Sequence, residues 1–176
     1  MKLEIVKIST KETFQYAELK IQIWKDCYKH ILPNTYLNNV SAEHKSSKYK
    51  NELLTDSTVA YYFIKMSSTP IGVLRLKYYE TPAKQKCVCI KDLYFHPQYQ
   101  NKGYGGIVFD FIKNEAIKNN CQFITAYIFE KNQPTRAIVA KLGFKETTNK
   151  YIHDKTMAMA IEYCLNLNKR PKLLIS

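Results

Sequence analysis

A short glycine-rich segment, residues 100–106, has the composition of a loop that binds an anion. Its sequence is Gln-Asn-Lys-Gly-Tyr-Gly-Gly. The apolar and β-branched stretch before it, residues 87–95, predicts a strand that Pro97 ends. The apolar spacing over residues 107–117 predicts a helix after it. Because loop amides and the positive end of the helix dipole converge in such an arrangement, the order strand, glycine loop, helix favours phosphate binding.

Three known phosphate-binding loops compete for this segment. The Walker A loop needs a Lys-Ser or Lys-Thr pair after its last glycine, whereas here Lys102 precedes the glycines and Ile107 follows them. The dinucleotide fingerprint needs a third glycine where Val108 stands. The third pattern, Gln/Arg-x-x-Gly-x-Gly/Ala, matches residues 100–105 in full and resembles the acyl-CoA loop of the GNAT family of N-acetyltransferases. The alternative is a turn that only starts the helix, for which one glycine would suffice.

The length of 176 residues suits one domain, which we predict over residues 1–165, followed by a basic tail over 166–176. With 45% apolar and 13% aromatic residues, the chain has the composition of an ordered globule. No apolar run approaches the ~18 residues of a membrane span. The first residues alternate charged and apolar side chains, which predicts a strand rather than a signal peptide. Five scattered cysteines indicate a reduced, cytoplasmic protein with no metal site.

The net charge of +12 comes from 24 lysines and 3 arginines. A nucleic-acid binder can have such a charge, but arginine supplies the commonest base-specific contacts and is nearly absent. The lysines are also spread along the chain. The charge therefore favours a solvated basic surface, which would attract an anionic cofactor such as acetyl-CoA.

The element pattern predicts an α/β fold. Strands are predicted at residues 2–8, 59–66, 71–79, 86–95, 122–129, 144–151 and 155–161, with about four helices between them. The fourth strand, the following helix and the fifth strand form a crossover unit, which makes a parallel pair. Since hairpins make most other connections, we expect a mixed and mostly antiparallel sheet of six to seven strands. This element order resembles the single-domain GNAT fold, which the resemblance therefore implies. Ligands of such sheets bind at the carboxyl ends of the parallel strands.

A second stretch, residues 132–144, also resembles the family. Many members have Asn-x-x-Ala-x-x-x-Tyr-x-Lys-x-Gly-Phe here. The matching positions are Asn132, Lys141, Gly143 and Phe144. Thr135 replaces the alanine, and Val139 replaces a tyrosine that in many members protonates the departing thiolate. The general acid is therefore unassigned.

The resemblance implies which residues bind acetyl-CoA. They are Tyr94, Phe95, His96, Gln100, Asn101, Lys102, Gly103, Tyr104, Gly105, Gly106 and Asn132. Main-chain N–H groups around Tyr94 and Phe95 would donate to pantetheine and to the thioester oxygen. For some of these residues a simpler role is also open. Tyr94 and Phe95 would pack in the core, and Lys102 would be a solvated charge. Asn132 would cap its helix, and His96 would pack at the strand end.

A weaker likeness concerns the acceptor. The spacing of Trp24, Tyr28 and Tyr36 resembles a bacterial subgroup that includes polyamine and other small-amine acetyltransferases. These three side chains would line an acceptor pocket, although an aromatic face at helical spacing is also typical of a core. Residues 90–95 resemble the acidic fourth strand of diamine acetyltransferases.

Two acids are candidates for the catalytic base. Asp92 would accept the amine proton or bind a cationic acceptor, and its alternative is a strand charge paired with a lysine. Glu130 is the rival base, with a solvated loop acid as its alternative. We therefore expect an N-acetyltransferase for a small amine, with polyamines among the candidates. Acetylation of a protein N-terminus or lysine, and acyl-CoA binding without catalysis, stay open, as does a homodimer.

Overall fold

One seven-stranded sheet organises the computed structural model, which describes residues 2–168. The strands are β1 (Leu3–Lys7), β2 (Val59–Met66), β3 (Thr69–Glu80), β4 (Lys86–Phe95), β5 (Phe123–Phe129), β6 (Lys145–His153) and β7 (Ala158–Asn166). The α-helices are α1 (Thr13–Tyr28), α2 (Asn34–Asn38), α3 (Ala42–Thr55), α4 (Tyr104–Lys118) and α5 (Gln133–Lys141). The strand order is β1-β2-β3-β4-β5-β7-β6, and within this part of the chain β4 and β5 form the one parallel pair.

The predicted mixed sheet and its parallel pair are thus confirmed. The last hairpin differs at its end, because β7 extends to Asn166 rather than to residue 161. Its added residues pair with β5, with Leu165 opposite Ile124 and Asn166 opposite Phe123. The predicted basic tail begins at this last pair, and residues 169–176 lie outside the described residues.

Helices cover both faces of the sheet, because its central strands are apolar on both faces. In β2, Tyr61 and Phe63 point to one face and Tyr62 and Ile64 to the other, and all four are buried. One face packs against α4 through side chains such as Ile112. The opposite face packs against α1 and α3.

The cover on the α1 and α3 face is incomplete. These helices pack on β2 and β3. Farther along the same face, β3 to β7 line an open groove of about 560 Å³, which we call the sheet groove. No helix within residues 2–168 is long and apolar enough to cross a membrane.

The parallel pair separates towards its carboxyl end. Pairing between β4 and β5 stops at Ile90 and Ala126, although both strands continue. From there β4 stays with β3 as far as Phe95, and β5 stays with β7 as far as Phe129. A bulge at Lys91 in β4 accompanies the divergence. The facing edges of the two strand ends therefore enclose a gap, which we call the β4–β5 gap.

Candidate active site

The glycine loop follows β4 directly and is shaped by its own side chains and dihedral angles. The Gln100 side-chain amide donates to the Phe95 carbonyl at 2.8 Å, which holds the loop against the end of β4. Asn101 and Gly103 both have left-handed backbone angles, with φ of 58° and 80°. Asparagine and glycine adopt this region most readily. The left-handed backbone of Gly103 makes this residue the N-cap of α4 and turns the N-terminus of the helix towards the loop.

The loop leaves room for a phosphate group. A Cβ atom added at Gly103, Gly105 or Gly106 would meet no atom within 4 Å, and all three glycines are exposed. The Lys102 ammonium lies 5.6 Å from the centre of the Tyr99 ring, so its charge is held beside the loop. These residues fit the pyrophosphate of coenzyme A, because the first turn of α4 offers unpaired amides and a favourable dipole.

An aromatic wall lines the β4–β5 gap. The Tyr28 hydroxyl donates to the Tyr94 hydroxyl at 3.3 Å. The Trp24 and Phe129 rings pack edge-on against the Tyr28 ring, with distances between ring centres of 5.5 and 5.3 Å. Burial raises the pKa of Tyr28 to about 12. Burial, and then the neighbouring Tyr28, raises the pKa of Tyr94. Both phenols therefore stay protonated, and because Tyr28 donates to Tyr94, the Tyr94 hydroxyl is the one left to donate into the gap.

A cleft of about 670 Å³ lies between α2, α3 and the turn that joins β6 to β7. Its charged and aromatic lining comprises Tyr36, Lys45, Lys48, Tyr151, Asp154 and Lys155, with His44 and His153 beside them. We call it the basic cleft. Burial, and then the Lys20 and Lys48 charges, lowers the pKa of Lys45 to about 8. Burial, and then Lys45, lowers the pKa of His153. The cleft therefore disfavours a further cation.

Asp92 lies behind the aromatic wall rather than in the gap. Its side chain is 2% exposed, and its carboxylate contacts Lys20 Nζ at 2.7 Å and Arg75 Nε at 2.9 Å. Tyr16 donates a third, longer bond of 3.4 Å. Burial raises the pKa of Asp92, but the Arg75 and Lys20 charges outweigh it and hold this pKa below its ordinary value. These contacts match the alternative that the sequence left open for Asp92, namely a charge on the strand that is paired with a lysine.

The sequence interpretation missed both cationic partners, although each leaves a signal. Lys20 occupies the apolar side of α1, at helical spacing from Tyr16 and Ile23, where a solvated lysine would not be expected. Arg75 interrupts the otherwise apolar residues 71–76 in β3. A lysine and an arginine at core positions predict a buried acid nearby.

The other candidates occupy separate places. Glu130 is exposed just beyond β5. The Asn132 side chain accepts from the Thr135 amide at 3.3 Å, so it caps α5, as its simpler role predicted. His96 is half-buried beyond the end of β4. Tyr36 packs against the cluster that contains Tyr28, with its hydroxyl 3.4 Å from His153 Nε2.

The comparisons with known proteins show the family to which the chain belongs. The model of the acetyltransferase (GNAT) family matches residues 22–144, and the chain belongs to that family. It is therefore an acetyl-CoA-dependent N-acetyltransferase by family, as the glycine loop predicted. No curated protein matches the chain in sequence.

Solved structures share the fold at low sequence identity. A PaiA N-acetyltransferase from Thermoplasma acidophilum, in complex with coenzyme A, is 22% identical with a TM-score of 0.74, over 92% of this chain and 98% of that one. An acetyltransferase from Thermus thermophilus is 13% identical with a TM-score of 0.73, over 95% and 98%. YncA from Salmonella typhimurium, a putative acetyltransferase with acetyl-CoA, is 15% identical with a TM-score of 0.67, over 97% of each chain. The GNAT fold is thereby confirmed.

Proposed function

We propose that the protein transfers the acetyl group of acetyl-CoA to the amine of a small molecule. The contact between Tyr36 in α2 and His153 at the end of β6 carries this proposal. It joins the two elements that flank the acceptor side of the gap. A folded protein or a long peptide could not enter from this side without separating α2 from β6. A small amine could instead pass beneath the contact between Tyr36 and His153.

The glycine loop and α4 have a defined part in this proposal. The amides around Gly103 to Gly106 and the helix dipole bind the pyrophosphate. The open edges of β4 and β5 then offer main-chain hydrogen bonds along the gap, and N–H groups near Tyr94 and Phe95 donate to the thioester oxygen as it gains charge. Acetyl-CoA supplies the acetyl group as a thioester.

Proton handling is divided between the two sides of the gap. The Tyr94 phenol, which its raised pKa keeps protonated, is the candidate donor to the leaving thiolate in place of the tyrosine that Val139 replaces, and Tyr28 donates to Tyr94 in turn. Asp92 positions β4 through Lys20 and Arg75 in this proposal. Glu130, exposed beyond β5, is then the candidate proton acceptor, directly or through water.

A variant of the loop tests the cofactor site. We expect Gly105→Val to fold normally, because Gly105 is exposed and a Cβ atom added there would meet no atom of the neighbouring elements within 4 Å. It should nevertheless lose acetyl-CoA binding by at least about tenfold, because the side chain occupies the approach of the pyrophosphate. Calorimetric titration and circular dichroism measure the two effects. Asn114→Val, an exposed position in the same helix, is the matched control and should bind as the wild type does.

An amine panel then tests the reaction. Wild-type protein should produce acetylated small amines, identified by mass, and acetyl-CoA at ~100 times its Kd should stabilise it by about 2.7 kcal/mol. Turnover confined to peptides would favour a protein acceptor. Binding of acetyl-CoA without any turnover would instead favour a non-catalytic module.

A further inference from the structure

Glu162 in β7 is a buried carboxylate with no cationic partner among residues 2–168. Only 8% of the surface of Glu162 is exposed to solvent. One oxygen, Oε2, accepts from the Thr147 hydroxyl at 2.9 Å and from the Asn149 amide at 2.7 Å. Within the described chain, no lysine, arginine or histidine lies within 4.0 Å of it. Since neutral donors offset only part of the cost of burying a charge, the site favours a cation.

The sheet groove gives that cation access to Glu162. The groove also exposes the rings of Tyr79, Phe123 and Tyr127. Its two lysines have other contacts, because Lys77 pairs with Asp56 and the Lys91 ammonium lies 5.9 Å from the centre of the Tyr127 ring. A carboxylate beside aromatic rings is the combination that binds an organic ammonium group.

The cysteines of the groove do not change this chemistry. Burial, followed by the charge of Glu162, raises the pKa of Cys164, and burial is also the main cause of the raised pKa of Cys87 and Cys89. All three therefore stay as thiols. No group of three or more metal-ligating side chains occurs among the described residues.

The groove and the aromatic wall lie along the same face of β5. Alternate residues of β5 share one face of the sheet, so Thr125 and Tyr127 lie in the groove while Phe129 lies in the aromatic wall. Glu162 pairs with Tyr127, and Ala160 pairs with Phe129. The carboxylate is therefore two strand residues, about 7 Å, from the level of the wall.

We propose that Glu162 determines acceptor specificity by binding the second, non-reacting ammonium group of a diamine. This inference rests on the proposed function and names its substrate class. From an amine at the aromatic wall, the rest of the acceptor can extend in two directions. The basic cleft, with Lys45, Lys48 and Lys155, repels a cation, whereas the sheet groove leads to Glu162.

The test compares diaminobutane and spermidine with butylamine, which lacks a second ammonium group. For Glu162→Gln we expect the KM for diaminobutane and for spermidine to rise at least about tenfold. The kcat values and the KM for butylamine should not change. Lys91→Gln is the matched variant, since it removes a competing cation from the same groove. It should lower the KM of the diamine, which is the opposite direction.

Several results would overturn the inference. An equal loss on diamine and monoamine would give Glu162 a structural role only, and an unchanged diamine KM would remove it from the site. A preference for amines that carry a carboxylate, insensitive to Glu162→Gln, would place the acceptor in the basic cleft. If a variant with Lys169, Arg170 and Lys172 replaced by glutamine loses stability only while Glu162 is present, the chain itself supplies the cation.

Failure of the proposed function gives a different result. Calorimetric titration of spermidine into the CoA-loaded protein measures amine binding in the absence of turnover. Binding by the wild type that Glu162→Gln abolishes would support the inference even if no amine is acetylated. Equal binding by both proteins would contradict it.

Discussion

Two buried carboxylates on the same face of the sheet have opposite surroundings. Asp92 in β4 is 2% exposed and contacts two cations, Lys20 and Arg75. Glu162 in β7 is 8% exposed and accepts hydrogen bonds from neutral donors, without a cation among residues 2–168. Burial alone therefore does not identify a functional acid. The difference lies in whether the described fold itself neutralises the charge.

The cover of the sheet explains the difference. Helix α1 packs over β2 and β3 and carries Lys20 to Asp92. The helices that pack on this face leave the groove over β5 and β7 open, so Glu162 faces an open space instead of a helix. The charge of Asp92 is consequently neutralised by the described fold, whereas Glu162 lines an open groove.

The largest expected effect is that of Asp92→Asn. Removing this charge leaves Lys20 and Arg75 buried without their partner, which costs about 3–5 kcal/mol of unfolding free energy. Urea unfolding at neutral pH measures the loss. A loss below about 1 kcal/mol would show that the ion pairs are not structural. Together with a drop of ~10²-fold in turnover, it would favour Asp92 as the general base.

The pH dependence of the same variant is a second check. Because the folded-state pKa of Asp92 lies below its ordinary value of 3.8, the ionised form is the one that the fold stabilises. Its contribution is fully present well above pH 3.8 and is lost as the pH falls towards the folded-state pKa. The stability difference between wild type and Asp92→Asn should therefore be constant near neutral pH and shrink as the pH falls below 3.8.

Lys20→Met should have an intermediate effect. Asp92 keeps Arg75, so one charged contact is lost while the other persists. The expected loss is about 1.5–3 kcal/mol, the usual contribution of a hydrogen bond to a charged group. Lys25→Met is the control, because Lys25 is exposed in the same helix and should change stability by less than about 0.5 kcal/mol. Equal losses in the two variants would contradict a special role for Lys20.

Local patterns in the sequence predicted the strand, glycine loop and helix that form the cofactor site. Residues 86–95 were predicted as the fourth strand, and β4 has these bounds. The cap by Asn132 was also predictable, because asparagine satisfies helix amides within three residues of itself. Such features depend on neighbours in the chain.

Features that depend on distant elements could not be predicted in the same way. Glu162 fell outside the predicted last strand, because an acid after Ile161 does not continue an apolar pattern. Its place beside an open groove depends on where α1 and α3 stop covering the sheet, and no local spacing in the sequence encodes that. The ion pairs of Asp92 join residues 72 and 17 positions apart.

The smallest effect on stability, and the one that separates the two acids most clearly, is expected for Glu162→Gln. The amide oxygen can still accept from Thr147 and Asn149, while the uncompensated charge is removed. The change in unfolding free energy should therefore be neutral or stabilising, within about 1 kcal/mol, opposite in sign to Asp92→Asn. Urea unfolding of both variants in one buffer, without amines, measures it. A destabilisation as large as that of Asp92→Asn would show that Glu162 has a cationic partner within the chain. A neutral or stabilising change with weakened diamine binding would mean that the charge is kept for ligand binding at no benefit to the fold.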